Sequence, residues 1–357
     1  MKKLQFLAAG LAFFALTFSS CSSDDDDLAF EPHSTEDFED GILILNEGSF
    51  GGGNASLSFL DEGGVVQNNV YQSVNGSLLG DTGQSMHAED DRIFIVLNGS
   101  GTVEVANRYT LERIGTISSG LSNPRYFLIE NGKGFVSNWG DPADPSDDFV
   151  AVINLNNYSV ETTIPVAEGP EKMVSENGKV YVAHAGGWNQ GNSVSVINAF
   201  TNTVSQTIEV GDVPDSMVEE NGKLYVLSSG IPAWTGNETG GSLHVVDLST
   251  DLLIFSSQLG NSSHPMHLSY SNNRFYYTMN SEIYSFDPAS LELSDSPLFS
   301  VSEPNVIYGF SVKDQRIYIT DAVDFASNGK LWIYDVTGNL LSDHSMGLLP
   351  RDFVFND

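Results

Sequence analysis

Glu176-Asn177-Gly178-Lys179-Val180-Tyr181-Val182 is the stretch on which the fold turns. Asn-Gly between β-rich runs is the strongest short hairpin signal, because both central residues of a type I′ turn need positive φ. The same tetrapeptide recurs as Glu130-Asn131-Gly132-Lys133 and Glu220-Asn221-Gly222-Lys223, each ahead of an apolar run. Asp90-Asp91, Asn272-Asn273 and Asp314-Gln315 occupy the same slot as weaker versions of the turn.

Outward from these hairpins, a strand ends in Asp or Asn at Asp61, Asn107, Asn154, Asn198, Asp247, Asp287 and Asp335, at spacings of 46, 47, 44, 49, 40 and 48 residues. Seven units follow from that count. Asp and Asn side chains bond the backbone two residues on, so these seven read as turn residues without a catalytic role. Pro124, Pro170, Pro214, Pro265, Pro304 and Pro350 form a second series. Proline has no N–H for a ladder, so each is expected at the first residue of an innermost strand. The tail Pro350-Arg351-Asp352-Phe353-Val354-Phe355 looks like the opener of a unit that lacks its other three strands, and residues 41–75 look like three strands without an opener. Joined, they complete the first unit. Four strands per unit, a 40–49-residue period and a split repeat predict an all-β, seven-bladed β-propeller whose first blade is closed by the C-terminal strand. An open solenoid would need capping units and has no reason to share one repeat between its ends.

Composition agrees and narrows function. The 357 residues include 34 Gly and only 17% charged residues, which favours strands and turns. The formal charge of −32 supplies little to neutralise a phosphate backbone, so nucleic-acid binding is not expected. Cys21 is the single cysteine, which excludes an internal disulfide and multi-Cys metal sites.

At the N-terminus, Lys2 and Lys3 precede an apolar run from Leu4 to Phe18, long enough for a signal peptide and short of a membrane span. Ser19-Ser20-Cys21 resembles a bacterial lipobox, with Phe18 in place of the usual Leu, so residues 1–20 are expected to be a lipoprotein signal and Cys21 the lipidated residue. Residues 21–40 hold nine acids and no Lys or Arg, the composition of an extended tether, and the propeller is expected over 41–357. The run Asp24 to Asp27 behind the Cys also resembles the surface-export signal of outer-membrane lipoproteins that serve TonB-dependent transporters.

From about Gly41 to the end, the chain resembles the YncE-like seven-bladed propellers. Ile42-Leu43-Ile44-Leu45-Asn46-Glu47-Gly48-Ser49-Phe50 and the run Gly51 to Leu60 bring it nearest to the lipidated BtuG-type members. That resemblance implies capture of cobalamin or a related corrinoid at the cell surface and delivery to a TonB-dependent outer-membrane transporter.

Strand order places the loops between second and third strands on the same face as the blade-to-blade loops. The expected long loops are Asn46–Asn54, Asn138–Asp148, Gly186–Asn192, Ser229–Gly241 and Asp321–Gly329, with short turns opposite. Phe50, Trp139, Trp188, Trp234 and Phe325 each fall in a different one, with Asn189 and other amides nearby. Large aromatics with amides suit a broad ligand that has an apolar ring and many hydrogen-bonding groups. Two places past each proline, or its aligned equivalent, come Ser85, Tyr126, Lys172, Ser216, His267, Gly309 and Asp352, of which Tyr126, His267 and Asp352 are expected to meet ligand.

No catalytic constellation, metal site or cofactor is expected. His264 and His267 are separated by Pro265-Met266 and lack the helical spacing of a zinc motif. Asp141, Asp144, Asp147 and Asp148 do not follow the EF-hand pattern, and Pro142 and Pro145 suggest a stiff solvated loop. A metal-assisted hydrolase of lactonase type and an adhesion or scaffold module are the alternative functions.

Overall fold

The computed structural model describes residues 38–141 and 143–356. Cys21, the signal segment and the run Asp24 to Asp27 lie outside the described residues. Seven four-stranded antiparallel sheets follow one another along the chain, numbered here as blades 1 to 7. Their innermost strands are Pro350–Asn356, Gly83–Glu89, Pro124–Glu130, Pro170–Glu176, Pro214–Glu220, Pro265–Ser271 and Ile307–Lys313. Blade 1 is the split repeat: Pro350–Asn356 pairs antiparallel with Gly41–Asn46, Val354 opposite Leu43.

The turns form for the expected reason. Asn131 and Gly132 have φ of 51° and 71°, and Asn272-Asn273 and Asp314-Gln315 adopt the same left-handed pair without glycine. Asn107, Asn154, Asn198, Asp247, Asp287 and Asp335 each accept an N–H from the residue two places on. Asp61 accepts instead from Val65.

The two middle strands of a blade are covered on both faces by neighbouring blades, so they are buried over almost their whole length, as in Lys179–His184 and Ser193–Asn198. Between blades, Phe94 stacks on Phe127 with centroids 4.2 Å apart, and Tyr225 packs on Phe275 at 4.2 Å. Phe38, three residues before the first strand, is buried against Phe59, and its carbonyl accepts from Asn356.

Two expectations need correction. Pro304 lies three residues before its innermost strand, which opens at Ile307. The Asp321 carboxylate accepts the N–H groups of Asn305, Val306 and Val323 and holds that stretch as a loop. The other five prolines do open innermost strands. Residues 287–298 of blade 6 form a long connection on the face expected to carry only short turns, because the outermost strand there is reduced to Phe299–Ser300.

Candidate functional site

A β-bulge interrupts the register of every innermost strand at its second or third residue, for example between Gly83 and Ser85, Pro124 and Phe127, Met266 and Ser269. Bulges re-aim side chains, and seven of them at one level turn polar groups towards the channel mouth. These groups tie adjacent blades together. Asp352 accepts from Met86 N at 2.7 Å, Ser85 donates to Arg125 O at 2.7 Å, and Asp215 accepts from His267 N at 2.9 Å.

Two ion pairs dominate the mouth. Arg125 bonds Glu171 at 2.9 Å, and Arg351 bonds Glu47 at 2.8 Å and Gln84 at 3.3 Å. Tyr308 also donates to Glu47 at 2.5 Å. Burial pushes the Tyr308 phenol up to about 12, with the Glu47 charge adding to that, and pushes Tyr126 up further with help from Glu171. Burial works against the Arg351 cation, but Tyr126, Glu47, Tyr308 and Asp352 around it more than compensate. The mouth is therefore a fixed network of opposite charges and neutral phenols.

Above it stand the long loops, where the five aromatics fall into two kinds. Trp139 is half-buried, lies under the Arg125 guanidinium at 4.1 Å and meets Trp188 edge-on at 6.4 Å. Phe325 meets Tyr308 edge-on at 5.9 Å, which joins the loop of blade 7 to the network. Phe50, Trp188, Trp234 and Phe325 are 86, 72, 79 and 56% exposed, so these rings do not fold back to cover their own loops. Asn189 donates to Glu168 at 2.6 Å. Over blades 2 and 6 the corresponding loops are only residues 98–101 and 280–281, which leaves the rim low on those sides.

Residues 40–340 match the family described as a domain of unknown function, DUF5074. The chain belongs to the DUF5074 family. No curated protein matches it by sequence. Among solved structures, it is similar to a quinonprotein alcohol dehydrogenase-like protein from Bacteroides thetaiotaomicron, with a TM-score of 0.66, 15% identity, and 91% of this chain and 80% of that one covered. It is also similar to the Kuenenia stuttgartiensis hydrazine synthase, at 0.60, 15%, 75% and 87%, and to BamB from Moraxella catarrhalis, at 0.53, 15%, 88% and 85%. At these identities the likeness is one of fold.

The structure places further residues singled out in the sequence of this DUF5074 protein. Asp352 is a strut between blades 1 and 2, since its two oxygens accept from Phe353 N and Met86 N. His264 is bonded to Ser229 O and Glu238, away from the channel network. Asp141, Asp144 and Asp147 accept N–H groups of their own loop, and among the described residues no group of three or more His, Cys, Asp or Glu could hold a metal ion. Glu47, Gln84 and Tyr308 escaped the sequence reading. Gln84 and Tyr308 stand one place before Ser85 and Gly309, as Arg125, Glu171 and Arg351 stand one place before Tyr126, Lys172 and Asp352, so the signal was present.

Asp148 is buried rather than solvated, and Gly169 N–H bonds its carboxylate at 3.0 Å. Burial, with Asp147 and Glu168 nearby, raises its pKa to about 6 despite that bond. The folded state thus holds this proton more tightly than the unfolded chain. The stability this contributes is complete below the unfolded value near 3.8 and is lost as pH rises through about 6. Asp148→Asn keeps the acceptor for Gly169 and removes the buried charge, so it should stabilise the protein by at most about 3 kcal/mol above pH 7 and by under about 1 kcal/mol near pH 4. Melting temperatures of both proteins across that range test this; parallel curves would contradict it.

Proposed function

We propose that this protein captures a small molecule with a broad apolar ring and polar edges on the long-loop face, and that the molecule is cobalamin or a related corrinoid. The observation that carries the reading is the exposure of Phe50, Trp188, Trp234 and Phe325 around a pre-formed polar mouth. Rings held out on a rigid scaffold keep the ordering cost of binding low, and such aromatics are the usual anchors of recognition. A corrinoid supplies a flat ring for the aromatics and peripheral amides for the mouth. Titration of the intact protein with cyanocobalamin should quench tryptophan emission in a saturable way. Unchanged emission at micromolar ligand would end the reading.

The same proposal holds the protein to the outer membrane through lipid on Cys21, facing outward, and hands the corrinoid to a TonB-dependent transporter. The supporting features are the lipobox-like Ser19-Ser20-Cys21 and the acidic run behind it. Among the described residues no helix is long and apolar enough to cross a membrane. Cys21→Ser should move the protein from the membrane to the soluble fraction, because stable attachment then depends on acyl chains. A variant that stays in the membrane pellet would contradict the anchor.

A further inference from the structure

Six histidines lie among the described residues, and five of the imidazoles are engaged. His87 meets Glu89 at 3.3 Å, His184 meets Ser195 at 2.8 Å, and His244 lies between Ser242 and Ser256 at 2.8 and 3.1 Å. His264 bonds Ser229 O and Glu238, and His344 meets Ser342 at 3.1 Å. His267 differs. Its backbone N–H bonds Asp215, but among the described residues no hydrogen bond or ring contact involves its imidazole.

Three further features single out this side chain. Its φ is 61°, in the left-handed region, so the bulge holds it in a conformation that costs of order 1 kcal/mol or more. It belongs to blade 6, over which the upper loop shrinks to residues 280–281 and nothing long overhangs it. It stands in the bulge of its innermost strand, between Met266 and Ser269, with its N–H on Asp215 of the adjacent blade, at the level where Lys172 and Arg351 occupy the bulges of their own innermost strands around the shared channel. Burial, Lys172 and Arg351 outweigh Asp215 and lower its pKa, which leaves a neutral imidazole with a free lone pair at neutral pH.

A lone imidazole cannot hold a free metal ion, since protein sites use three or more ligands and no such group exists among the described residues. It can complete a metal that arrives with its equatorial positions filled. We infer that His267 is an axial ligand for the metal centre of a planar macrocycle bound at the channel mouth. This rests on the proposed long-loop site and gives it a chemical criterion: a metal with an exchangeable axial position. A nitrogen lone pair of His267 forms the bond to the metal, and a water leaves it; no electron is transferred.

Hydroxocobalamin and ferric haem, each added to the intact protein, separate the two sources of such a centre. Wild-type protein should shift the visible absorption of hydroxocobalamin and bind it about tenfold more tightly than cyanocobalamin, whose cyanide resists exchange. His267→Asn, in a residue type that tolerates left-handed φ, should still bind hydroxocobalamin but show neither the shift nor the preference. Should that variant fail to fold, excess cyanide added to the wild-type complex should erase the shift. A shift with haem alone would sustain axial ligation and end the corrinoid reading. Tight hydroxocobalamin binding without a shift, or the same shift in His267→Asn, would overturn the inference while leaving corrinoid capture intact. Failure to bind either macrocycle would overturn both.

Discussion

Deletion of residues 350–357 should abolish cooperative unfolding and leave the protein aggregated. Pro350–Asn356 is the innermost strand of blade 1, so its loss removes six backbone pairings with Gly41–Asn46 and opens the ring there. Gly41–Asn46 would become an unprotected edge of buried Ile, Leu and Asn residues, a template for pairing with other chains. The deletion also removes Arg351 from Glu47, Asp352 from Met86, and Asn356 from Phe38 and Arg108. Phe355 would no longer meet Tyr318 edge-on at 5.2 Å. Chromatography and thermal melting of the truncated protein report this directly. A soluble monomer with the parent melting temperature would contradict closure by the C-terminal strand.

Trp188→Ala and Trp234→Ala should each weaken corrinoid binding by about 2 kcal/mol, roughly thirtyfold, with little change in melting temperature. Both rings are mostly exposed, so truncation leaves no cavity in the core. Trp139→Ala is the instructive contrast. Its ring lies between the Arg125 guanidinium and Trp188, so its loss should lower stability as well as affinity. Asp247→Asn, at a turn on the opposite face, should leave affinity unchanged. Equal losses of affinity in the tryptophan variants and Asp247→Asn would point to general damage and contradict the face assignment.

The ring was legible in the sequence because every repeat writes its own punctuation. Asn-Gly hairpins, Asp or Asn turns and opening prolines are local signals, and their recurrence fixed blade number, strand order and the split first blade. Pro304 misled because the device was replaced locally: Asp321 holds the preceding loop, and the strand starts at Ile307. The loop aromatics were legible for a similar reason, since a tryptophan among glycines in a long connection has little to pack on.

The polar mouth was only half legible. A two-residue alternation gives a column of positions but not the bulge that re-aims it, and the bulge decides that Asp352 bonds Met86 while the His267 imidazole has no bonding partner among the described residues. Glu47 joins Tyr308 and Arg351 across 261 and 304 residues of sequence, a distance at which no local pattern speaks. Asp148 looked solvated among its acidic neighbours, yet it turns inward to Gly169.

The central claim, capture of a corrinoid on the long-loop face, is tested most directly by calorimetric titration of the intact protein with cyanocobalamin. The account predicts saturable one-to-one binding, with a dissociation constant below micromolar that rises on Trp188→Ala or Trp234→Ala. Absence of binding at micromolar protein, or binding of the same strength in both variants, would contradict it.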